Sequence, residues 1–574
     1  MRLYGYDGDG LKKIKTLLVI LILIFPSFIT ALPVFFDNKE DGSLINELIA
    51  NMTDTDLLGQ LMLLGYYGLD PSDEIIEWIG DKRIGGIKIF GWNVSNLERL
   101  GKSIETMQKK ASENPLAIPL FIATDQEGGW VRHIKGKTSI TPGNMSIGAT
   151  SLPEDAYKTG VYIGQELKTL GINLNFAPTV DIYTNQNADV IGPRSFSSDP
   201  KITAALSTSF FQGQDSTGVI STAKHFPGHG AAEGDSHGML PLVDADFDTI
   251  WERELLPYRY LIKRGIPAIM SGHLAFPKIT GDKIAASESE YFITELLRNK
   301  MGFKGIIITD DMVMTGALIG EKNLAEACYA AILAGNDIIM ISRKTADYQK
   351  VWEYLFQKLH NNEDFRTMVI NAVKRILKTK LSYFKREDAV SLYPDPDKII
   401  KNIPSINGSK FFFDQAFRSV SLIKGENLPV KIDSESSVLL AGPYKAFLAE
   451  GKKQIGNAST YYFPFSPNKE TEKRYIRDFK TTARDYDTVI FCLANRFGLE
   501  MLKTLKNMDT NVTVISTLTP VYLENTSWVK SAVAVYGTGY ESFMAGFNAV
   551  LGVYTPTGVV PFGGLMEKNN NGSN

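Results

Sequence analysis

Seven short apolar runs are spaced along residues 85–342, and most of them end in polar or charged side chains. They are GGIKIF (85–90), PLFIATD (119–125), INLNFAPTVD (172–181), VISTAKHF (219–226), PAIMSGH (267–273), GIIITDD (305–311) and NDIIMIS (336–342). Helix-length amphipathic stretches such as PEDAYKTGVYIGQELKTLG lie between them, and AEACYAAILAG comes just before the last. Strands of this kind alternating with helices build parallel βα units. Seven or eight such units in about 340 residues fit a TIM-type (β/α)8 barrel better than a doubly wound sheet. In a barrel the C-terminal strand ends converge on one face. Asp125, Asp181, Lys224-His225, Ser271-Gly272-His273 and Asp310-Asp311 would then meet there. Each taken singly could be a cap for the next helix; five together are harder to explain that way.

Residues 383–410 are polar and hold Pro394, Pro396 and Pro404, so they read as a linker after a barrel domain of residues 37–382. Beyond it, SSVLLAGPY (436–444), DTVIFCLAN (487–495), NVTVISTL (511–518) and SAVAVYGTG (531–539) again alternate with helical stretches. Residues 411–568 are therefore expected as a smaller α/β sandwich domain, and the tail NNNGSN (569–574) as disordered. GTGYES (537–542) lacks the third glycine of a dinucleotide fingerprint and reads as a strand-to-helix turn.

Composition narrows the function. The 574 residues are 44% hydrophobic and 22% charged, with a mean hydropathy of −0.08, which excludes a disordered chain and a polytopic membrane protein. Sixty-one Lys+Arg against 64 Asp+Glu leave a net charge of −3, so there is no electrostatic case for nucleic acid as a partner. Cys328 and Cys492 sit inside apolar patterns and read as buried thiols. At the N-terminus, Lys12, Lys13 and Lys15 precede an apolar run from Thr16 to Phe36, with a small-residue site near Ala31. Residues 1–36 are thus expected as a secretory signal peptide or an uncleaved membrane anchor; Pro26 and Pro33 interrupt the run. Either one sends the rest of the chain out of the cytoplasm, to the periplasm, the outside, or the outer face of the membrane.

Two segments could carry chemistry. Asp310 and Asp311 follow GIIIT, and supply either a helix cap or a carboxylate at the barrel mouth. KHFPGHGAAEGDSHG (224–238) holds three of the six histidines, His225, His229 and His237, in one glycine-rich loop. Metal binding is one reading of such a cluster, but no H-E-x-x-H helix or comparable ligand spacing is present. The glycines suggest a flap, on which Asp235 and His237 could pair, the carboxylate orienting the ring and stabilising its protonated form for general acid work.

TDQEGG (124–129), FAPTVD (176–181), IGPRSF (191–196), KHFPGHG (224–230), D-S-H (235–237) and KGIIITDDMVM (304–314) together resemble glycoside hydrolase family 3, and most closely its bacterial β-N-acetylglucosaminidase branch. The ordered set spans residues 85–320, and TPTGVVPFG (555–563) resembles the end of the family's second domain. The resemblance implies a retaining double displacement on a β-linked sugar, without metal or organic cofactor. By motif position Asp310 matches the nucleophile, His237 the acid/base and Asp235 its partner in the dyad, while Asp311 would support or cap. Asp125, Arg194, Lys224 and His225 match residues that contact the sugar, and His229 would order the loop. The family's motif has an arginine eight positions after its first aspartate; here that position is His133, with Arg132 one residue earlier and Trp130 replacing another usual arginine. Either His133 substitutes or Arg132 reaches the subsite by a local shift; alternatively, Trp130 offers a stacking face for an adjacent sugar or peptide portion.

The resemblance, with the exported location, implies a β-N-acetylhexosaminidase that releases terminal N-acetylglucosamine from muropeptides, as in peptidoglycan recycling. A β-glucosidase or an N-acetylglucosamine phosphorylase of the same family are the alternatives among enzymes, the phosphorylase because a histidine acid/base repels phosphate less than a carboxylate would. A sugar-binding protein with a decayed site is the alternative outside catalysis. The presence of Asp310, Asp235 and His237 speaks against it.

Overall fold

A computed structural model of the chain describes residues 32–188, 190–232, 239–318, 323–342 and 345–562. The apolar N-terminal run up to residue 31 and the NNNGSN tail lie outside the described residues. Within them, no helix is long and apolar enough to cross a membrane.

Eight strands close into a barrel in sequence order: β1 (Met62–Gly65), β2 (Gly86–Lys88), β3 (Phe121–Thr124), β4 (Leu174–Asn175), β5 (Ile220–Phe226), β6 (Ala268–Ser271), β7 (Ile306–Asp311) and β8 (Ile338–Ile341). β1 pairs in parallel with both β8 (Met62↔Ile339) and β2 (Leu63↔Gly86), which completes the ring. Strands covered by helices outside and by side chains inside have no wet face, so they read as continuous apolar runs rather than alternating ones. Every residue of β1–β6 and β8 is buried. Only Asp310 and Asp311, the last two of β7, rise to partial exposure.

Seven of these strands coincide with the seven apolar runs. β1 does not stand out in the sequence because LMLLG follows directly on the helix Asp54–Gln60, whose capping box at Thr53 and Asp56 starts a continuous apolar stretch. The barrel helices are one-sided. Leu97–Ser112, capped by the Asn96 side chain, buries Leu97, Leu100, Ile104, Met107 and Ala111, a spacing of three and four that turns one face to the strands.

The second domain holds a six-stranded sheet: β9 (Ser421–Gly425), β10 (Val438–Gly442), β11 (Ser459–Tyr462), β12 (Thr488–Leu493), β13 (Asn511–Thr517) and β14 (Ser531–Tyr536), in the order β9-β14-β13-β12-β10-β11. All neighbours run parallel except β9 with β14. Leu439, Ala441, Val489 and Phe491 enter one hydrophobic core, while Val438, Leu440, Ile490 and Cys492 enter the other, so alternate residues face opposite helical layers. This is an α/β sandwich. The two edge strands, β9 and β11, are the ones without an apolar run, since their outer residues are half-exposed. GTGYES joins β14 to the helix Tyr540–Val550, and both cysteines are buried free thiols.

Residues 383–410 differ from a free linker. After the helix Glu363–Phe384 they carry the helix Pro396–Asn402, capped by Asp395, and the start of Ile406–Ser419, capped by Ser405. Ile399 and Ile403 are buried; the polar composition reflects caps and one outer face, and the apolar side chains between the prolines hold the segment on the barrel. The C-terminal run also returns there. Pro561 O accepts hydrogen bonds from Ser198 N (3.1 Å) and Ser197 Oγ (2.9 Å), and the Phe562 ring meets Tyr183 edge-on at 5.3 Å.

Candidate active site

The strand ends converge as the barrel geometry requires. A cavity of about 690 Å³ opens at their C-terminal face. Lys88 of β2, Asp125 after β3, Lys224 and His225 of β5 and Asp310 of β7 line it, together with His133, His229, Arg194, Trp92 and Trp130. Met270, Val313, Met314 and Met340 supply its apolar surface.

β5 sends two consecutive side chains into this space. Its register with β6 slips between Ala223 and Phe226, a bulge of one residue, so Lys224 and His225 both reach the cavity instead of alternating. The loop that follows packs tightly on the segment after β4: a Cβ at Gly230 would lie 1.9 Å from Ile182 O, so only glycine fits there.

The polar side chains form one buried network. Asp181 accepts from His225 Nδ1 (2.7 Å) and from the backbone N–H of His229 (2.7 Å). Arginine can only donate, so with Nδ1 protonated toward Asp181, His225 Nε2 turns its lone pair to Arg194 Nη2 at 3.1 Å. Arg194 grips Glu127 through two bonds, 2.9 and 2.7 Å. Lys224 Nζ bridges Glu127 Oε1 and Asp125 Oδ1, each at 2.5 Å. Lys88 donates to Asp125 Oδ2, and His133 Nε2 lies 3.5 Å from the same oxygen.

This pairing sets the ionisation. Burial alone would raise the Asp125 carboxyl, but Lys224, Lys88 and His133 hold it well below the usual carboxylate range. Glu127, equally buried, is held down to about 2 by Arg194 and Lys224. Burial opposes the charge on Lys224 too, and Asp125 and Glu127 more than offset it. At Asp310, burial pushes upward while His225, His273, the N–H of Asp311 (2.8 Å from Oδ1) and Lys224 bring the carboxyl below its ordinary value. Asp311 goes the other way: burial raises it, although Ser342 Oγ and the backbone N–H groups of Val313 and Ser342 donate to its carboxyl. An anionic Asp310 faces the cavity, and Asp311 ties the end of β7 to the end of β8.

Asp310, Asp125, Arg194, Lys224, His225 and His133 are thus together around one cavity. Asp235 and His237 lie outside the described residues. At the altered motif, His133 rather than Arg132 reaches Asp125. Arg132 Nη1 donates to Ser139 O (3.1 Å), and its neighbouring carboxylates are Glu166 and Glu541. Two members of the network went unassigned in the sequence. Glu127 lies inside TDQEGG with nothing to mark it beyond the motif. Lys88 left a signal, a lysine within the apolar run GGIKIF.

The profile of the glycosyl hydrolase family 3 N terminal domain matches residues 51–379. The chain belongs to glycoside hydrolase family 3. Among its relatives, the β-hexosaminidase A of Pseudoalteromonas piscicida is 37% identical over 370 residues, 58% of this chain and 62% of that protein, so the match spans less than two thirds of that relative's length. A β-hexosaminidase of Neisseria gonorrhoeae (strain ATCC 700825 / FA 1090) is 36% identical over 280 residues, 48% of this chain and 75% of the relative. Among solved structures, a family 3 β-N-acetylglucosaminidase from Paenibacillus sp. str. FPU-7 superposes with a TM-score of 0.81 at 27% identity, covering 89% of this chain and 99% of that one. The family 3 barrel followed by a sandwich domain, expected from the motifs, is the architecture found.

Proposed function

We propose that the chain is an exported, retaining β-N-acetylhexosaminidase that releases terminal β-linked N-acetylglucosamine, with muropeptides as its natural substrates. The observation that carries the reading is the ionised Asp310 at one side of a cavity whose other wall is the Asp125–Lys224–Glu127–Arg194–His225 network. A pyranose fits between a nucleophilic carboxylate and fixed hydrogen-bonding groups, with methionine and valine against its C–H faces. The acetamido preference is supported by the names of the relatives, and the muropeptide and export parts by motif resemblance and the N-terminal run.

In the first step an Asp310 oxygen bonds to the anomeric carbon as the bond to the leaving oxygen breaks, and His237 gives that oxygen its proton. In the second, a water loses its proton to His237, bonds to the anomeric carbon, and frees the Asp310 carboxylate, so configuration is retained. Asp235 orients His237 and stabilises its charged form. Asp125, Lys224, Arg194, His225 and His133 contact sugar hydroxyls, and paired charges of this kind discriminate against sugars lacking the matching group.

The test is turnover of aryl β-N-acetylglucosaminide beside aryl β-glucoside by the full chain, each with and without phosphate. Strong preference for the acetamido sugar, indifferent to phosphate, is the expected result. A phosphate-dependent rate yielding a sugar phosphate would make the protein a phosphorylase, and activity on the glucoside alone would overturn the substrate class.

A further inference from the structure

Asp125 has more cationic neighbours than its motif accounts for. Lys224 reaches its Oδ1 at 2.5 Å, while Lys88 and His133 share its Oδ2. The two groups on Oδ2 are unequal. His133 Nδ1 accepts the Gly91 N–H at 3.2 Å, so the ring's own proton sits on Nε2, and Nε2 is 3.5 Å from the carboxylate, longer than an ordinary N–H···O bond and so a weak contact that still helps to hold Asp125 ionised. The ring rests edge-on against Phe90 at 5.4 Å. Lys88 donates to the carboxylate directly, and its side chain is 2% exposed.

Nothing in barrel packing calls for a lysine at this place. The neighbouring residues of β2 are Gly86 and Ile87, and an ammonium brought out of water costs free energy unless a charge and further donors or acceptors receive it. Here Asp125 receives it, with the Phe176 ring face 4.4 Å and the Phe90 ring face 4.9 Å from Nζ.

We propose that Lys88 is a positioning residue for the sugar-binding carboxylate Asp125, supplying from beneath a cation beside the position, 133, at which the family motif has an arginine and this chain has a histidine. The consequence is a relocated charge. An arginine on the loop would fill the cavity mouth, whereas an ammonium from the second strand grips Asp125 from below. The mouth is left to the short His133 ring and to the half-exposed Trp92 and Trp130. This inference rests on the β-N-acetylhexosaminidase reading for the identity of the sugar.

A charge-swap series tests it: Lys88→Met, His133→Gln, and Lys88→Met with His133→Arg. Each is assayed for kcat and KM on aryl β-N-acetylglucosaminide and for calorimetric binding of N-acetylglucosamine, with a thermal melt as a folding control. Lys88→Met is expected to lose about 50-fold or more in kcat/KM and to weaken N-acetylglucosamine binding. His133→Gln is expected to lose about threefold, and the double variant to regain tenfold or more over Lys88→Met. A merely structural lysine would not be rescued by an arginine placed on the loop beside Asp125. The proposal is overturned if folded Lys88→Met stays within threefold of wild type, if the double variant recovers nothing, or if His133→Gln falls as far as Lys88→Met. Should Lys88→Met fail to fold, the size of the His133→Gln loss decides: about threefold supports Lys88 as the stronger of the two contacts on Oδ2, and a 50-fold loss overturns it. A wild type that neither cleaves the acetamido glycoside nor binds N-acetylglucosamine would instead sink the proposed function, and the series would then be read on whichever β-glycoside the protein cleaves.

Discussion

Lys88 and Lys380 are both buried in the barrel, at its opposite ends. Lys88, in the second strand, meets Asp125 at the C-terminal face. Lys380, on the helix Glu363–Phe384, reaches the N-terminal face, where its Nζ donates to Gln60 Oε1 (2.9 Å) and Gly85 O (3.0 Å) and lies 4.8 Å from the Phe121 ring centroid. Burial lowers the ammonium value at both, but only Lys88 has carboxylates acting against that. Lys380 satisfies neutral backbone and amide oxygens and closes the bottom of the barrel. The upper end concentrates paired charges around an open cavity. A fold that must bury its strand ends can do so with neutral hydrogen bonds. The charged version is stable only while its partners stay complete, and it keeps fixed donors and acceptors aimed at one space.

Asp310→Ala is the hardest test of that contrast. With the proposed nucleophile gone, kcat on the aryl glycoside should fall by about 10⁴-fold or more, while N-acetylglucosamine still binds and the melt is little changed. An unchanged rate would remove the upper end's claim to be the site.

Glu127→Gln comes next, because it breaks the network without touching Asp310. Arg194 loses its bidentate partner and Lys224 one of its two, so kcat/KM should drop about 100-fold, and stability by about 3 kcal/mol or more. The sign with pH is set by the depressed carboxyl: folded Glu127 sits at about 2 against an ordinary 4.5. Its contribution is full above pH 4.5 and is lost as pH falls toward 2. Urea titrations between pH 5 and 2 should show that acid-side loss reduced in the variant; an identical pH dependence in both proteins would mean that Glu127 is not held ionised.

Trp130→Ala probes the rim rather than the network. Trp130 is 48% exposed and meets Phe465 of the second domain edge-on at 6.2 Å. Losing that face should cost about three- to tenfold in kcat/KM on a disaccharide and less on a glycosyl fluoride, which carries no ring beyond the cleaved bond. Equal losses on both would place Trp130 at the sugar itself.

Lys380→Met should leave kcat/KM within about twofold, the smallest effect on activity. Its signature is in stability. A lysine whose folded value lies below 10.5 binds fewer protons folded than unfolded, so stability rises with pH through the window beneath 10.5. Denaturant melts on the alkaline side should show a shallower rise in the variant. A marked loss of activity would break the division between the two ends.

Much of the barrel was legible because its strands are dry on both faces, which leaves long apolar runs whose ends are polar. The strands that did not declare themselves are of two kinds. β1 merges into the apolar tail of a helix, and the edge strands β9 and β11 have one wet side, so no run marks them. How 383–410 connects the domains was hard to read for a related reason: prolines and caps look alike in loops and at helix starts, and only the burial of Ile399 and Ile403 tells them apart.

The sequence alone determined the βα period, the two-domain order and the family, since each rests on local patterning or on motifs whose residues are close in the chain. It also placed Asp125, Lys224, His225 and Asp310 at strand ends that a barrel must bring together, while Arg194 came from the motif resemblance alone. What only the tertiary structure decided is which charges meet. Lys88 and Asp125 are far apart in sequence, as are Glu127 and Arg194, and the choice of His133 over Arg132 depends on the direction in which each side chain leaves the segment after β3. Such contacts carry no local period. Their energy comes from desolvation and distance in the folded state, and these exist only once the barrel has closed.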